Sequence, residues 1–198
     1  MEINAKTVMT LRDRTGAGMM DCKKALAEAD GDLEKAVDYL RKMGIASAAK
    51  RQHREAAQGR VECYIHPGSQ VGVLLEVNSE TDFVAKTDDF KSFCHEVAMH
   101  VAATRPLAVG IEDLDPAVVT KEREIVLEQV RNSGKPENVW ERIVEGRMKK
   151  FYEEVCLLEQ PWVKDNDRTI GTLRKELSGK VGENIIIRRF ACFHVGQR

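Results

Sequence analysis

Gln70-Val-Gly-Val-Leu-Leu-Glu-Val-Asn78, running straight into Ser79-Glu-Thr-Asp-Phe-Val-Ala-Lys-Thr-Asp-Asp-Phe90, changes its period part-way along. In the first half Val71, Val73, Leu75 and Val77 alternate, which puts them on one face of a strand. Beyond the second half, Phe90, Phe93, Val97 and Val101 recur at helical spacing. Thr87 can cap that helix, with Asp88 and Asp89 at its positive end. The segment between fits neither period and reads as a connection. Within it, Asp82-Phe83 sets a carboxylate beside a large apolar ring, and no alternation turns that ring inward. An aromatic on a short anchored connection is suited to entering a partner's pocket; a ring that plugs its own core is the alternative.

Upstream of the strand, Val61, Cys63 and Ile65 alternate with Arg60, Glu62 and Tyr64, and His66-Pro-Gly-Ser69 turns the chain, so a hairpin is expected. Downstream, Pro106 closes the long helix. A further helix starts at Asp115-Pro116 and stops at Ser133-Gly134, and another runs from about Pro136 through Trp140, Ile143 and Val144 toward Glu153. Leu157 to Asp167 reads as irregular. Thr169 caps a helix carrying Ile170, Leu173 and Leu177, and Gly182 ends it. Asn184 to Val195 is a final strand, with Ile185, Ile187, Ala191, Phe193 and Val195 on one side and Ile186, Phe190 and Cys192 on the other.

Residues 4 to 43 read as three short helices. Asn4 caps the first, with Val8 and Leu11 inward, and Thr15-Gly-Ala-Gly18 breaks it. Met19 to Ala29 is the second, with Cys22, Ala25 and Leu26 on one face. Asp30-Gly-Asp32 restarts a third with Leu33, Ala36, Val37 and Leu40 inward, and Gly44 is expected to end it. The expected organisation is a three-helix domain over 1–44, a helical linker over 45–57 and a core domain over 58–198. The fold class is α+β, with helices packed on one face of a small antiparallel sheet.

A chain of 198 residues with 42% hydrophobic and 32% charged content is long enough for one core and a small satellite. Its formal net charge of -1 gives no pull toward nucleic acid or anionic lipid. Lys50, Arg51 and Arg54 lack aromatic partners for base stacking and read as a solvated face. No apolar run is long enough to cross a bilayer and no leader pattern is evident, so a cytoplasmic location is expected, without membrane partners. Five cysteines, odd in number and without paired spacing, suit a reducing compartment.

Patterns that suggest chemistry fail on spacing. His95-Glu-Val-Ala-Met-His100 is one residue longer than the zinc-protease pattern, and an offset of five turns the two imidazoles about 140° apart on a helix. Cys63 and His66 lie on opposite faces of a strand, with no second ligand pair. Gly16-Ala-Gly18 lacks the later glycine, the lysine and the preceding strand of a phosphate-cradling loop, so no nucleotide, metal or cofactor is expected. Cys22, at a helix start beside Lys23, is the best placed for a reactive thiol, but with no histidine placed near it, it reads as a packed thiol.

Thr81-Asp-Phe-Val-Ala-Lys-Thr-Asp-Asp-Phe90, with Arg14-Thr-Gly-Ala-Gly-Met-Met-Asp-Cys-Lys-Lys24 and Val181-Gly-Glu-Asn-Ile-Ile-Ile-Arg-Arg189, resembles the bacterial elongation factor Ts family in its short form. Three motifs in the family's order span the chain from its amino-terminal helices to its last strand. The resemblance implies a ubiquitin-associated-like three-helix domain at the amino terminus. It also implies guanine-nucleotide exchange on elongation factor Tu by binding, with no covalent chemistry. Implied partner-binding residues are Asp82 and Phe83 with their neighbours Thr81 and Val84, then Arg12, Met19, Met20 and Lys23, and finally Val71, Gly72 and His100. Long members supply the last group from a second core subdomain, so a homodimer through the core sheet is expected here. The short form carries its cysteine one position before Cys192, and a one-residue shift reverses facing on a strand. A non-catalytic helical adaptor is the competing reading; it explains the three-helix domain but leaves the core domain and its loop idle.

Overall fold

The computed structural model describes residues 4–197. Among them are eight α-helices and five strands: α1 Ala5–Thr15, α2 Met19–Glu28, α3 Leu33–Arg51, β1 Gln58–Ile65, β2 Val71–Ser79, α4 Asp82–Ala85, α5 Asp88–Thr104, α6 Pro116–Arg131, α7 Trp140–Val155, β3 Pro161–Trp162, β4 Asp165–Thr169, α8 Ile170–Val181 and β5 Ile186–His194. The class is α+β, as expected. β1, β2 and β5 form one sheet in that order. The Val195 N–H donates to the Gln70 carbonyl and Arg189 pairs with Glu76, so β5 runs antiparallel to β2. None of the helices among the described residues is long and apolar enough to cross a membrane.

The chain divides into two compact units that interleave along the sequence. The first comprises the chain up to Arg60, Val77–Phe93 and Thr172–Ile186. Its core is Val8 and Leu11 of α1, Cys22, Ala25 and Leu26 of α2, Ala29, and Ala36 of α3, with Leu33, Val37 and Leu40 packed against it. These are the residues the helical period selects. Asn4 caps α1, accepting from the Thr7 N–H at 2.8 Å, and Asp32 caps α3.

Gly44 does not end the third helix: α3 continues to Arg51, taking in 45–51 of the 45–57 segment expected to be a helical linker. Ala46, Ala48 and Ala49 favour continuation. Gly44 instead lies where α3 meets α8, where a Cβ added to Gly179 would fall 2.6 Å from the Gly44 Cα. Two glycines let the helix backbones approach more closely than any side chain would allow, which offsets the roughly 1 kcal/mol that each glycine costs inside a helix. The Lys180 ammonium of α8 reaches Asp89 at 2.8 Å, and Gly182, at φ +77°, ends α8 as expected.

The second unit comprises Val61–Glu76, Cys94–Gly171 and the chain from Ile187 onward. Val126, Val130, Val144 and Met148 close the α6–α7 hairpin, and Ala108, Leu114 and Cys156 form a cluster at its base. One expectation is corrected in this unit. Leu157 to Asp167 is not irregular, because β3 and β4 pair there, with Trp162 opposite Asp165. The Arg168 guanidinium lies 5.2 Å from the Trp162 ring, a cation–π contact on polar strands that lack any apolar alternation. β1 buries Glu62 and leaves Val61, Cys63 and Ile65 exposed. His95 of α5 lies 3.3 Å from the Glu62 carboxylate and edge-on to Tyr64, so α5 covers the polar side of β1. Along β5, Ile187 is buried, Phe190 and Cys192 are half-buried, and Ala191, Phe193 and the following Val195 are exposed.

Candidate functional site

The strand-to-helix connection contains a single helical turn. Thr81 keeps an extended backbone (φ -123°, ψ 156°) and its hydroxyl accepts from the Val84 N–H, so it caps α4. The Ser79 hydroxyl donates to the Thr81 carbonyl at 2.8 Å, and the Thr87 hydroxyl donates to the Val84 carbonyl at 2.8 Å. Between these anchors Ala85 is buried and Val84 half-buried, while Phe83 stands 79% exposed. The ring is therefore not a core plug. Asp82 accepts from the Lys86 ammonium one turn on, at 2.5 Å, and that bond holds its carboxyl below the usual carboxylate range.

Glu183, from the turn after α8, grips this connection from outside it. One carboxylate oxygen accepts from the Thr81 N–H at 3.0 Å and the other from the Thr81 hydroxyl at 2.6 Å. Sequence reasoning missed Glu183 as a site residue, since no local pattern pairs positions 102 residues apart.

The same unit carries the second expected group. Met19 and Met20 are 42% and 78% exposed at the start of α2, and Lys23 and Arg12 are exposed on α2 and α1. Cys22 of the same helix is fully buried, and burial pushes its thiol pKa up, as fits the packed thiol expected there. Val71, Gly72 and His100 belong to the other unit.

Val71 and Gly72 are half-buried and His100 is fully buried. The Val163 N–H donates to His100 Nδ1 at 3.3 Å, so Nε2 carries the proton and donates to Gln160 Oε1 at 2.9 Å. The Gln160 amide donates in turn to the Glu154 carbonyl. Burial lowers the imidazole pKa, consistent with a neutral ring whose two nitrogens both serve the interior. His100 ties the β3–β4 turn to α5 and presents no surface of its own.

Residues 21–197 match the family described as "Elongation factor TS". A protein of Alkaliphilus oremlandii named "Elongation factor Ts" is 57% identical over 197 residues, covering 100% of this chain and 91% of that protein. A Moorella thermoacetica protein of the same name is 57% identical over 195 residues, covering 98% of this chain and 96% of its own length. A third, from Caldanaerobacter subterraneus, is 54% identical over 195 residues, covering 98% of each.

Proposed function

The chain belongs to the elongation factor Ts family of translation factors, and from that premise we propose that it binds elongation factor Tu in its GDP-bound form and accelerates GDP release. The observation that carries the reading is Phe83, held 79% exposed on an anchored turn. Phe83 wedges between packed elements of the partner's nucleotide domain. Asp82 competes by hydrogen bonding with the ordered shell of the partner's magnesium, and Thr81 and Val84 frame the pair. A factor that speeds release binds the empty partner more tightly than the GDP-bound one, and by linkage GDP weakens the factor by the same ratio. No covalent bond is made or broken. Release of labelled GDP from elongation factor Tu, with and without this chain, tests the proposal; no acceleration at micromolar chain favours the adaptor reading.

In this reading α1–α3 are a ubiquitin-associated-like docking module, with Arg12, Met19, Met20 and Lys23 on its contact surface. Exposed thioethers adapt to a partner at low cost. Replacing Met19 and Met20 together with Ala is expected to raise the chain concentration giving half-maximal exchange by about tenfold, the loss of roughly one buried side chain. The maximal rate stays near its original value. A collapsed maximal rate at unchanged half-saturation would show that the methionines act in the exchange step.

The sheet favours a homodimer. Val61 and Ile65 of β1, Leu74 of β2, and Phe193 and Val195 beyond it are each at least 46% exposed. Gly72 lies against Ile65, and Glu76 pairs with Arg189, which places these residues on one uncovered face. A second copy covers that face, Gly72 included, about a two-fold axis, and each partner molecule then touches both subunits, meeting one of them at Val71, where β2 begins. His100 contributes by holding the β3–β4 turn rather than by contact. Cys192 alternates with Phe193 along β5 and so faces away from that side, which favours packing over a disulfide as what holds the pair. Sedimentation equilibrium at tens of micromolar should show a dimer that is indifferent to reductant, and Phe193→Asp should shift it to monomer. A wild-type monomer under those conditions would refute the assembly.

A further inference from the structure

Two carboxylates cross between the turn leaving β2 and the turn leaving α8. Glu183 takes both the N–H and the hydroxyl of Thr81. Glu80 takes the N–H of Asn184 at 2.7 Å. The Asn184 side-chain amide donates to the carbonyls of Gln52 and Arg54, just beyond α3, at 3.3 and 2.8 Å. Arg54 in turn approaches Glu80 at 3.5 Å. The base of this node is itself fixed, since Gly182 closes α8 in a left-handed conformation and the Ser178 hydroxyl donates to the Glu183 carbonyl. All of these residues belong to the first unit.

A four-residue helix cannot hold its own geometry, because nucleating a single turn fixes several dihedrals for very few hydrogen bonds. Yet α4 presents Phe83 from one turn. The residue that sets the direction of this turn is its cap, Thr81, and the atoms that fix Thr81 are the Glu183 oxygens. A carboxylate accepting two bonds at once specifies orientation as well as distance, and such bonds are stronger than neutral ones. Through Asn184 the same dipeptide holds the far end of α3, the helix that completes the module carrying Met19 and Met20.

We propose that Glu183 is a positioning residue for Phe83: it pre-sets the α4 turn so that the ring meets the partner already ordered, and Asn184 ties that turn to the docking module. This rests on the exchange reading above. Ordering a side chain before binding removes a cost otherwise met in the complex, so losing Glu183 lowers the same kinetic parameter that losing Phe83 lowers.

A double-mutant cycle on the full-length chain separates positioning from plain structural support. Glu183→Ala is expected to slow exchange about fivefold in the natural background and by less than about 1.5-fold once Phe83 is Ala, since there is then no ring left to position. Glu183→Gln keeps the shape and one acceptor and should recover exchange to within about twofold. Hydrogen exchange at the Thr81 amide should speed up in Glu183→Ala while the amides of Val97 to Val101 in α5 do not change. If Glu183→Ala melts early, the same cycle is run with Glu183→Gln, expecting a smaller loss that again vanishes without Phe83. Equal slowing in both backgrounds, or an unchanged Thr81 amide, overturns the positioning role while leaving the exchange reading intact. A harmless Phe83→Ala would overturn the positioning role, since the ring would then have no effect to be positioned for, while the exchange reading falls only if the natural chain fails to accelerate GDP release.

Discussion

Phe83→Ala is expected to lower exchange by roughly ten- to hundredfold, because burying one aromatic side chain in a partner contributes about 1.5–3 kcal/mol. The fold should persist. At 79% exposure the ring contributes little to the chain's own core, so its loss is expected to move the thermal midpoint by no more than about 2 °C, within the range of an ordinary surface substitution. Two measurements on one protein decide the matter: thermal melting by circular dichroism, and GDP release at saturating chain. A midpoint lowered by many degrees would make Phe83 a core residue. A variant with a native melt and native exchange would remove Phe83 from the mechanism and leave the remaining contacts to account for it.

Gly179→Ala is expected to destabilise the first unit by about 1–3 kcal/mol, because the new methyl lands on backbone that cannot swing aside. The Gly179 Cβ would sit 2.6 Å from the Gly44 Cα, so α3 and α8 must separate. For a chain of this size, each kcal/mol corresponds to about 2–4 °C in midpoint. The reciprocal substitution behaves differently. A Cβ on Gly44 meets the Gly179 Cα at 3.6 Å, an ordinary contact, so Gly44→Ala should be neutral or gain up to about 1 kcal/mol from helix propensity. The asymmetry makes the test sharp: equal effects at the two positions would mean that the helices do not cross as described. Since α8 leads into Glu183, separating α3 from α8 should also loosen the α4 turn, and exchange should fall together with stability.

How far the candidate site was legible depended on whether local pattern carried the information. The strand period stops at Asn78 and the helix period resumes at Phe90, leaving a ring that neither period claims; that pattern left partner pocket and core plug both open for Phe83, and the resemblance chose between them. The caps at Asn4, Asp115 and Thr87 were legible because a capping side chain reaches only two or three residues along its own chain. Gly44 misled for the same reason: a glycine after an apolar repeat is a good stop signal unless a distant helix needs the space. His100 entered the candidate site by resemblance, and its burial depends on Gln160 and Val163, about 60 residues away.

The sequence by itself determined the α+β class, most helix boundaries in the first and last thirds of the chain, the connection on which Phe83 sits and, through three ordered motifs, the resemblance to the family. All but the resemblance follow from periodicity, capping and composition, which act over a few residues. The tertiary structure decided which face of β1 is covered, that α3 runs through Gly44, that β3 and β4 pair, and that Glu183 holds Thr81. An alternating strand has two faces with equal claim to the interior until a helix covers one, and here α5 covers the face with Glu62 and Tyr64, where His95 gives the buried carboxylate its partner. A clamp between positions 81 and 183 exists only once α8 has docked on α3, because the chain between them sets no distance until it is folded.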